Sequence, residues 1–299
     1  MGGDPQAEAC LEEAFEWITG PTTPPQLQAA MRHAVFGGGG RVRPRLVLAV
    51  SKACERGDEQ VARAAAASIE FLHCASLVHD DLPAFDNAPL RRGQPTVHVA
   101  YSEPLAVLVG DALIAGAFEV LGRGCAANPS MLAPLLATVA RSVGAIRGIV
   151  AGQAWESEPS PNLRLYHRAK TGALFEAAVC AGALAGGGDP AAWLPVGSRL
   201  GEAYQVADDI LDQIGSAAEL GKPVGQDARN NRPSVALELG LERAYGRLQS
   251  LFDSMFTCVP AVQGRQEFVH WAMRLCKSLF PQPEHKPAVE SVGSAFLTA

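Results

Sequence analysis

The sequence predicts an all-α protein, and three observations carry that expectation. Ala and Leu dominate the chain, apolar residues recur at helical spacing through segments of roughly 10 to 25 residues, and clusters of Gly and Pro separate each segment from the next. Alternation at the two-residue period of a strand is nearly absent. The breaks read TGPTTPP (19–25), FGGGG (36–40), AANPS (126–130), SEPSPN (157–162) and AGGGDP (185–190). Asn128, Asn162 and Asp189 stand where they can cap the helices that follow. No linker, shift of composition or internal repeat divides the chain. The expected architecture is one domain over residues 1–299, a single large bundle of about ten or more helices, with a looser tail after Phe280.

With 299 residues, 48% of them hydrophobic, the chain can bury a large core. Its net charge of −6 and the lack of a basic run argue against nucleic acid as a partner. The seven cysteines are scattered and never spaced as CxxC, which suits reduced thiols and argues against a disulfide frame or a zinc site. MGGDPQAEACLEEAFEW at the start lacks the basic opening and apolar block of a signal peptide, and Gln6 stands where a myristoylation signal has Ser or Thr. The best apolar run, residues 104–118, contains Asp111 and falls short of the ~20 residues a membrane span needs. A soluble, cytoplasmic protein with no membrane span is the expectation.

In chain order, the first chemical signal is GGGGRVRPR (37–45). Its glycines let the backbone come close to a ligand, and Arg41 and Arg43 bring positive charge. Next, the apolar helix IEFLHCASLV (69–78) runs into HDDLPAFDNAPLRRG (79–93), where Asp80, Asp81 and Asp86 are followed closely by Arg91 and Arg92. Adjacent carboxylates in an apolar helix repel each other unless an arginine or a metal ion neutralises them. YHRAKTGAL then brings Lys170 and Thr171, and YQVADDILDQ (204–213) forms a second acidic cluster. There Asp208 and Asp212 are i and i+4 on one helix face, Asp209 lies beside them, and Val206, Ala207, Ile210 and Leu211 imply burial. LGKPVGQD adds Lys222.

Taken singly, each base is an ordinary surface charge and each acid cluster an ordinary ion pair. Two such clusters on facing helices would line one cavity with carboxylates. That arrangement suits Mg²⁺, which takes oxygen ligands and keeps several waters. Arginine forks and lysines beside them suit phosphate oxygens. The combination reads as a metal and diphosphate site. Walker, GxSxG and HExxH motifs are absent, as is a GxGxxG behind a strand. The HDD at 79–81 lacks the further histidines that an HD-type phosphohydrolase needs.

On these motifs the sequence resembles the trans-isoprenyl diphosphate synthases, and among them the bacterial geranylgeranyl diphosphate synthases of carotenoid and bacteriochlorophyll pathways. DDLPAFD resembles the first aspartate-rich motif in its longer form, with RRG behind it, and QVADDILD resembles the second. GGGGRVRP is similar to GGKRxRP, AGQAWE to GGQxxD and KTGAL to the KT box, and LGKPVGQD completes the ordered set between about residues 30 and 245.

The resemblance implies the isoprenoid synthase type I fold, a helical bundle around a central cavity, assembled as a homodimer. It implies three Mg²⁺ ions, or Mn²⁺ in their place, held by Asp80, Asp81 and Asp86 on one wall and Asp208, Asp209 and Asp212 on the other. Arg91, Lys170, Thr171, Gln205 and Lys222 would hold the allylic diphosphate (dimethylallyl, geranyl or farnesyl), Lys170 serving catalysis as well. Arg43, His73 and Arg92 would hold isopentenyl diphosphate, and His73 lies two helical turns before Asp80 on the same face. Three positions depart from the family pattern: Gly40, Gln226 and Arg232 each replace a lysine, and Arg41 or Arg45 is the candidate to compensate for Gly40.

The implied reaction ionises the allylic diphosphate, adds isopentenyl diphosphate and loses a proton. Cys74, Ala75 and Ser76 are small where short-chain relatives carry bulky aromatics, which implies room for the C20 product, geranylgeranyl diphosphate. The helical wheel puts Ser76 near the Asp80 face but turns Ala75 about 140° from it, so Ala75 is nominated by the resemblance alone. Rival readings are a farnesyl diphosphate synthase, a class I terpene cyclase, against which DDILD speaks, and a non-catalytic regulatory subunit of a heteromeric synthase.

Overall fold

A computed structural model describes residues 4–160, 162–214 and 234–280, and these are predominantly helical, as the sequence predicts. Helix α1 (Pro5–Ile18) starts where the Asp4 carboxylate accepts from the Gln6 and Ala7 amides, and α2 (Pro25–Phe36) starts on a proline whose missing N–H costs nothing there. The glycine loop leads to α3 (Val42–Cys54). Asp58 caps α4 (Glu59–Asp80), whose run of buried Ala residues lets neighbouring helices approach closely.

The acidic segment then turns through a two-stranded antiparallel hairpin, β1 (Leu90–Arg91) and β2 (Gln94–Pro95), with Leu90 opposite Pro95 and Arg91 opposite Gln94. Sequence alternation does not foresee so short a pair. It forms because Arg92 and Gly93, at φ of 54° and 77°, make the left-handed two-residue turn that tight hairpins favour.

A short α5 (Val97–Ala100) precedes α6 (Glu103–Gly124), α7 (Leu132–Val143) and α8 (Ile149–Trp155). Helix α9 (Leu163–His167) passes through one π-helical turn, Arg168–Gly172, into α10 (Ala173–Ala185). Then come α11 (Pro190–Ile214), α12 (Val235–Leu239), α13 (Leu241–Thr257) and α14 (Arg265–Leu279). Asn162 and Asp189 cap as expected, accepting from the Leu165 and Ala191 amides. Asn128 does not: its side chain accepts from the Ser130 hydroxyl, and a 3-10 turn at Pro129–Met131 starts the helix instead.

Helix α4 packs most extensively on α6, while α10 packs against α3, α4, α7 and α11, so α10 is the central post flanked by both acid-bearing helices. The core around it includes Phe71, Leu113, Leu121, Phe175 and Trp193, all fully buried. Asp111 is exposed and does not interrupt α6, which the apolar run of the sequence understated. Among the described residues two helices, α4 and α6, are long and apolar enough to cross a membrane by length and composition; the most apolar stretch of α4 is 78% buried inside the protein and that of α6 44%. Lys222, Gln226, Arg232 and the tail after Phe280 lie outside the described residues.

Candidate active site

Helix α4 delivers His73 and Asp80, and the backbone behind it folds back so that the Asp86 amide donates to Asp80 O at 3.0 Å. Asp81, 4% exposed, takes a forked ion pair from Arg91, with Nη2 and Nε at 2.7 to 2.9 Å from its oxygens. The sequence left open whether an arginine or a metal neutralises these acids. Arg91 does so for Asp81, but Asp80 is different: its Oδ1 is buried and accepts no hydrogen bond, with Lys170 Nζ 3.7 Å away.

Lys170 and Thr171 sit in the π-helical turn, a distortion that often marks functional sites because it re-aims side chains. Gly152 of α8 permits it, since a Cβ there would fall 2.5 Å from the Lys170 backbone nitrogen. Lys170 Nζ donates to Glu156 Oε1 at 2.5 Å, and the same carboxylate accepts from Tyr166 Oη at 2.7 Å and Gln153 Nε2 at 3.1 Å. Thr171 Oγ1 donates to Gln205 Oε1 at 2.5 Å, and Gln205 Nε2 donates to Asp209 Oδ1 at 2.8 Å. Asp209 Oδ2 accepts from the Val235 amide at 2.7 Å, tying α11 to the start of α12. Asp80, Lys170, Thr171, Gln205 and Asp209 therefore form one continuous chain of contacts and sequence neighbours between the two acid motifs. In the second motif Asp209 and Asp212 are buried and Asp208 is partly buried.

The bases of the glycine loop divide. Arg43 is buried, its guanidinium 4.7 Å from the Phe175 ring and 5.7 Å from the Tyr204 ring, and it donates from Nη1 to His73 Nε2 at 3.3 Å. Its Nε has no hydrogen-bond partner, and it makes no ion pair with a carboxylate among the described residues. Arg41 is ion-paired to Glu8 and Glu70 at 2.8 and 3.0 Å and its side chain is 1% exposed, so it braces α1 against α4 and is not a spare cation for a ligand. Arg45 lies against Asp4 at 3.3 Å, also away from the site. The close approach that the glycines allow is made by Arg92, which donates to Gly38 O and whose guanidinium lies where a Gly39 side chain would be. Ser76 donates back to His73 O at 2.8 Å, Ala75 is buried, and Cys74 lines a small cavity of about 40 Å³ between α2, α4 and the hairpin.

Burial raises the Asp80 and Asp81 carboxyls, opposed by Lys170 at the first and Arg91 at the second. Burial pushes Asp209 up to about 6 against the donors from Gln205 and Val235. His73 is held well below its usual 6.5 by burial and by Arg43 and Arg92, which keeps Nε2 an acceptor. The Cys74 thiol is pushed up to about 12 by burial, which leaves it unreactive.

Among the described residues no three His, Cys, Asp or Glu side chains close into a ready-made ion cage. The oxygen donors and the orphaned Asp80 oxygen nevertheless fit a hard divalent cation. Such an ion is commonly bound through one or two carboxylates, substrate phosphate oxygens and water. Sequence reasoning missed two features. Glu156 closes the AGQAWE motif but drew no role of its own from the sequence; an acid shortly before the KT pair was the available signal. The Phe175 and Tyr204 platform under Arg43 comes from separate helices and has no local signature.

Fold and site together define a helical-bundle enzyme in which acids and bases from separate helices meet, as handling of a diphosphate ester requires. The chain belongs to the polyprenyl synthetase family, whose sequence profile matches residues 24–265. It is 45% identical over 281 residues to a geranylgeranyl diphosphate synthase of Cereibacter sphaeroides, covering 94% of this chain and 98% of that one. A second geranylgeranyl diphosphate synthase, from Rhodobacter capsulatus, is 46% identical over 88% of this chain and 91% of its own. Among solved structures, a Helicobacter pylori geranyltransferase complexed with magnesium and isoprenyl diphosphate superposes with a TM-score of 0.77 at 30% identity, covering 93% of this chain and 99% of that chain.

Proposed function

We propose that the protein is a trans-prenyltransferase that condenses isopentenyl diphosphate with allylic diphosphates to give geranylgeranyl diphosphate. The observation that carries this reading is the relay joining Asp80, Lys170, Thr171, Gln205 and Asp209, which links both acid motifs to the KT pair. The names of the two relatives at 45% and 46% identity support the C20 product, as do the small side chains of Cys74, Ala75 and Ser76.

Asp80, Asp81 and Asp86 with Asp208, Asp209 and Asp212 would hold three Mg²⁺ ions, or Mn²⁺. When bound, the ions supply electrostatic neutralisation of the departing diphosphate. Lys170, Thr171, Gln205 and Arg91 orient the allylic diphosphate, and the motif resemblance adds Lys222, which lies outside the described residues. Arg43, buried with His73 as its neighbour, offers isopentenyl diphosphate a cation with no competing carboxylate among the described residues, and Arg92 stands beside it. The allylic C–O bond breaks and its electron pair leaves with the diphosphate. The double bond of isopentenyl diphosphate attacks the cation, and a proton passes to the released diphosphate. The apolar core around the site keeps out the water that would quench the cation. We further read the assembly as a homodimer, supported by the exposed apolar side chains of Val107, Leu108 and Ile114 along α6.

Incubation with Mg²⁺, isopentenyl diphosphate and each allylic primer tests the proposal. Linear C20 product is expected. A C15 end product favours a farnesyl diphosphate synthase, a cyclic hydrocarbon a cyclase, and silence a non-catalytic subunit. Asp80→Ala and Asp208→Ala should each abolish turnover, and near-normal rates in either would reject the site.

A further inference from the structure

Lys170 is shared unequally between two carboxylates. Its ammonium lies 2.5 Å from Glu156 Oε1 and 3.7 Å from Asp80 Oδ1, so it hydrogen-bonds the first and only faces the second. The preference is built in. Glu156 is fixed by Tyr166 Oη at 2.7 Å and Gln153 Nε2 at 3.1 Å, and the Lys170 backbone is seated against Gly152, four residues before Glu156 on the same segment. Asp80 Oδ1, buried and without a hydrogen bond, gets only the long-range part of the lysine's charge. A buried carboxylate oxygen left open beside an ammonium group that could close on it with about 1 Å of movement needs an explanation, because direct contact would be shorter and stronger.

We propose that Glu156 is a positioning residue that holds the Lys170 ammonium off Asp80 and so keeps that carboxylate open to a divalent cation. The inference rests on the assignment of Asp80 as a cation ligand. Were Glu156 neutral, Asp80 would be the one charged carboxylate left within 4 Å of the Lys170 ammonium among the described residues, and the pair it formed with Lys170 would compete with the cation for the same oxygen. The acid in the AGQAWE motif thereby acquires a chemical task through the lysine, with no contact of its own to substrate.

The test uses Mn²⁺ alone, without diphosphate, with free ion measured by electron paramagnetic resonance on the full chain. Wild type should bind, and Asp80→Ala should lose most of that binding. Glu156→Gln should weaken Mn²⁺ binding by about tenfold, within the range of a coupling through one intermediary group. Because the effect runs through the lysine, the double variant Glu156→Gln/Lys170→Met should match Lys170→Met alone. Circular dichroism melts check folding, and if Glu156→Gln is unfolded, the comparison of the double variant with Lys170→Met decides. Wild-type affinity in a folded Glu156→Gln, or a double variant clearly weaker than Lys170→Met, would overturn the positioning role while leaving the site intact. Binding that Asp80→Ala does not disturb, or no binding by the wild type, would overturn the site assignment and this inference with it.

Discussion

Gly40 is where this chain departs most plainly from the lysine its relatives' motif carries, and the structure explains why the position tolerates either residue. Its φ is not in the left-handed region, unlike Gly38 at 97° and Gly39 at 122°, and a Cβ there would meet only Val42 Cγ2 at an ordinary 3.5 Å. Arg41 cannot stand in, because Glu8 and Glu70 hold its guanidinium inside the protein. Gly40→Lys should therefore fold normally and lower KM for isopentenyl diphosphate by about fivefold, equivalent to ~1 kcal/mol for one partly exposed charged contact. Steady-state kinetics check it, and an unchanged KM would place the isopentenyl diphosphate away from this loop. His73 gives a second expectation at this scale. Its folded pKa lies well below 6.5, whereas the unfolded chain titrates near 6.5, so below that pH the unfolded state binds a proton that the folded state refuses. Wild type should lose stability relative to His73→Gln as pH falls from 6.5 to 5, by at most ~1.4 kcal/mol per pH unit, with the difference between the two constant above pH 7. Urea melts of both proteins across that range measure it.

Among the elements, those set by local chemistry were the ones the sequence exposed. The Gly/Pro breaks, the caps at Asn162 and Asp189 and the burial of both acid-bearing helices follow from residues close together in the chain. The π-helical turn at Arg168–Gly172 was not legible, because it packs against Gly152 on another helix, and no periodicity in RAKTG records that neighbour. The same holds for Arg41, which by composition resembles any surface arginine and is defined only by Glu8 and Glu70 arriving from α1 and α4. Even the hairpin depended on Arg92 accepting a positive φ, which a non-glycine residue does at some cost. These elements suggest their own test. In Gly152→Ala the new methyl group would lie 2.5 to 2.6 Å from Lys170 backbone atoms, which cannot swing aside as a side-chain tip could. The π-helical turn must shift, and a displacement near 1 Å can cost roughly a hundredfold in rate. We expect kcat to fall by at least tenfold on that scale, with circular dichroism near wild type; undiminished kcat would show that the turn does not set the lysine.

At the scale of the whole molecule, α6 connects the acid motif to the exterior. Its inner face packs on α4, where the His79 ring occupies the space a side chain at Gly110 would need and His79 Nε2 lies 3.3 Å from Val107 O. His79 is the residue before Asp80, so α6 backs the helix end that carries the first acids. Its outer face exposes Val107, Leu108 and Ile114, and Ile146 and Val150 beyond α7 are 90% and 58% exposed. Apolar side chains on a helix whose most apolar stretch is only 44% buried call for cover, and a second copy supplies the same apolar chemistry in return. Sedimentation equilibrium at micromolar concentration should therefore give twice the chain mass. Leu108→Glu, a charge placed in the middle of that face, should give a folded monomer. If burial of α6 is what steadies the end of α4, turnover should fall together with dimer content as concentration drops, and substrate-independent dissociation should be reversed on concentrating the wild type but not the variant. A wild-type monomer with full activity would show that α6 needs no cover and that α4 is steadied from within one chain.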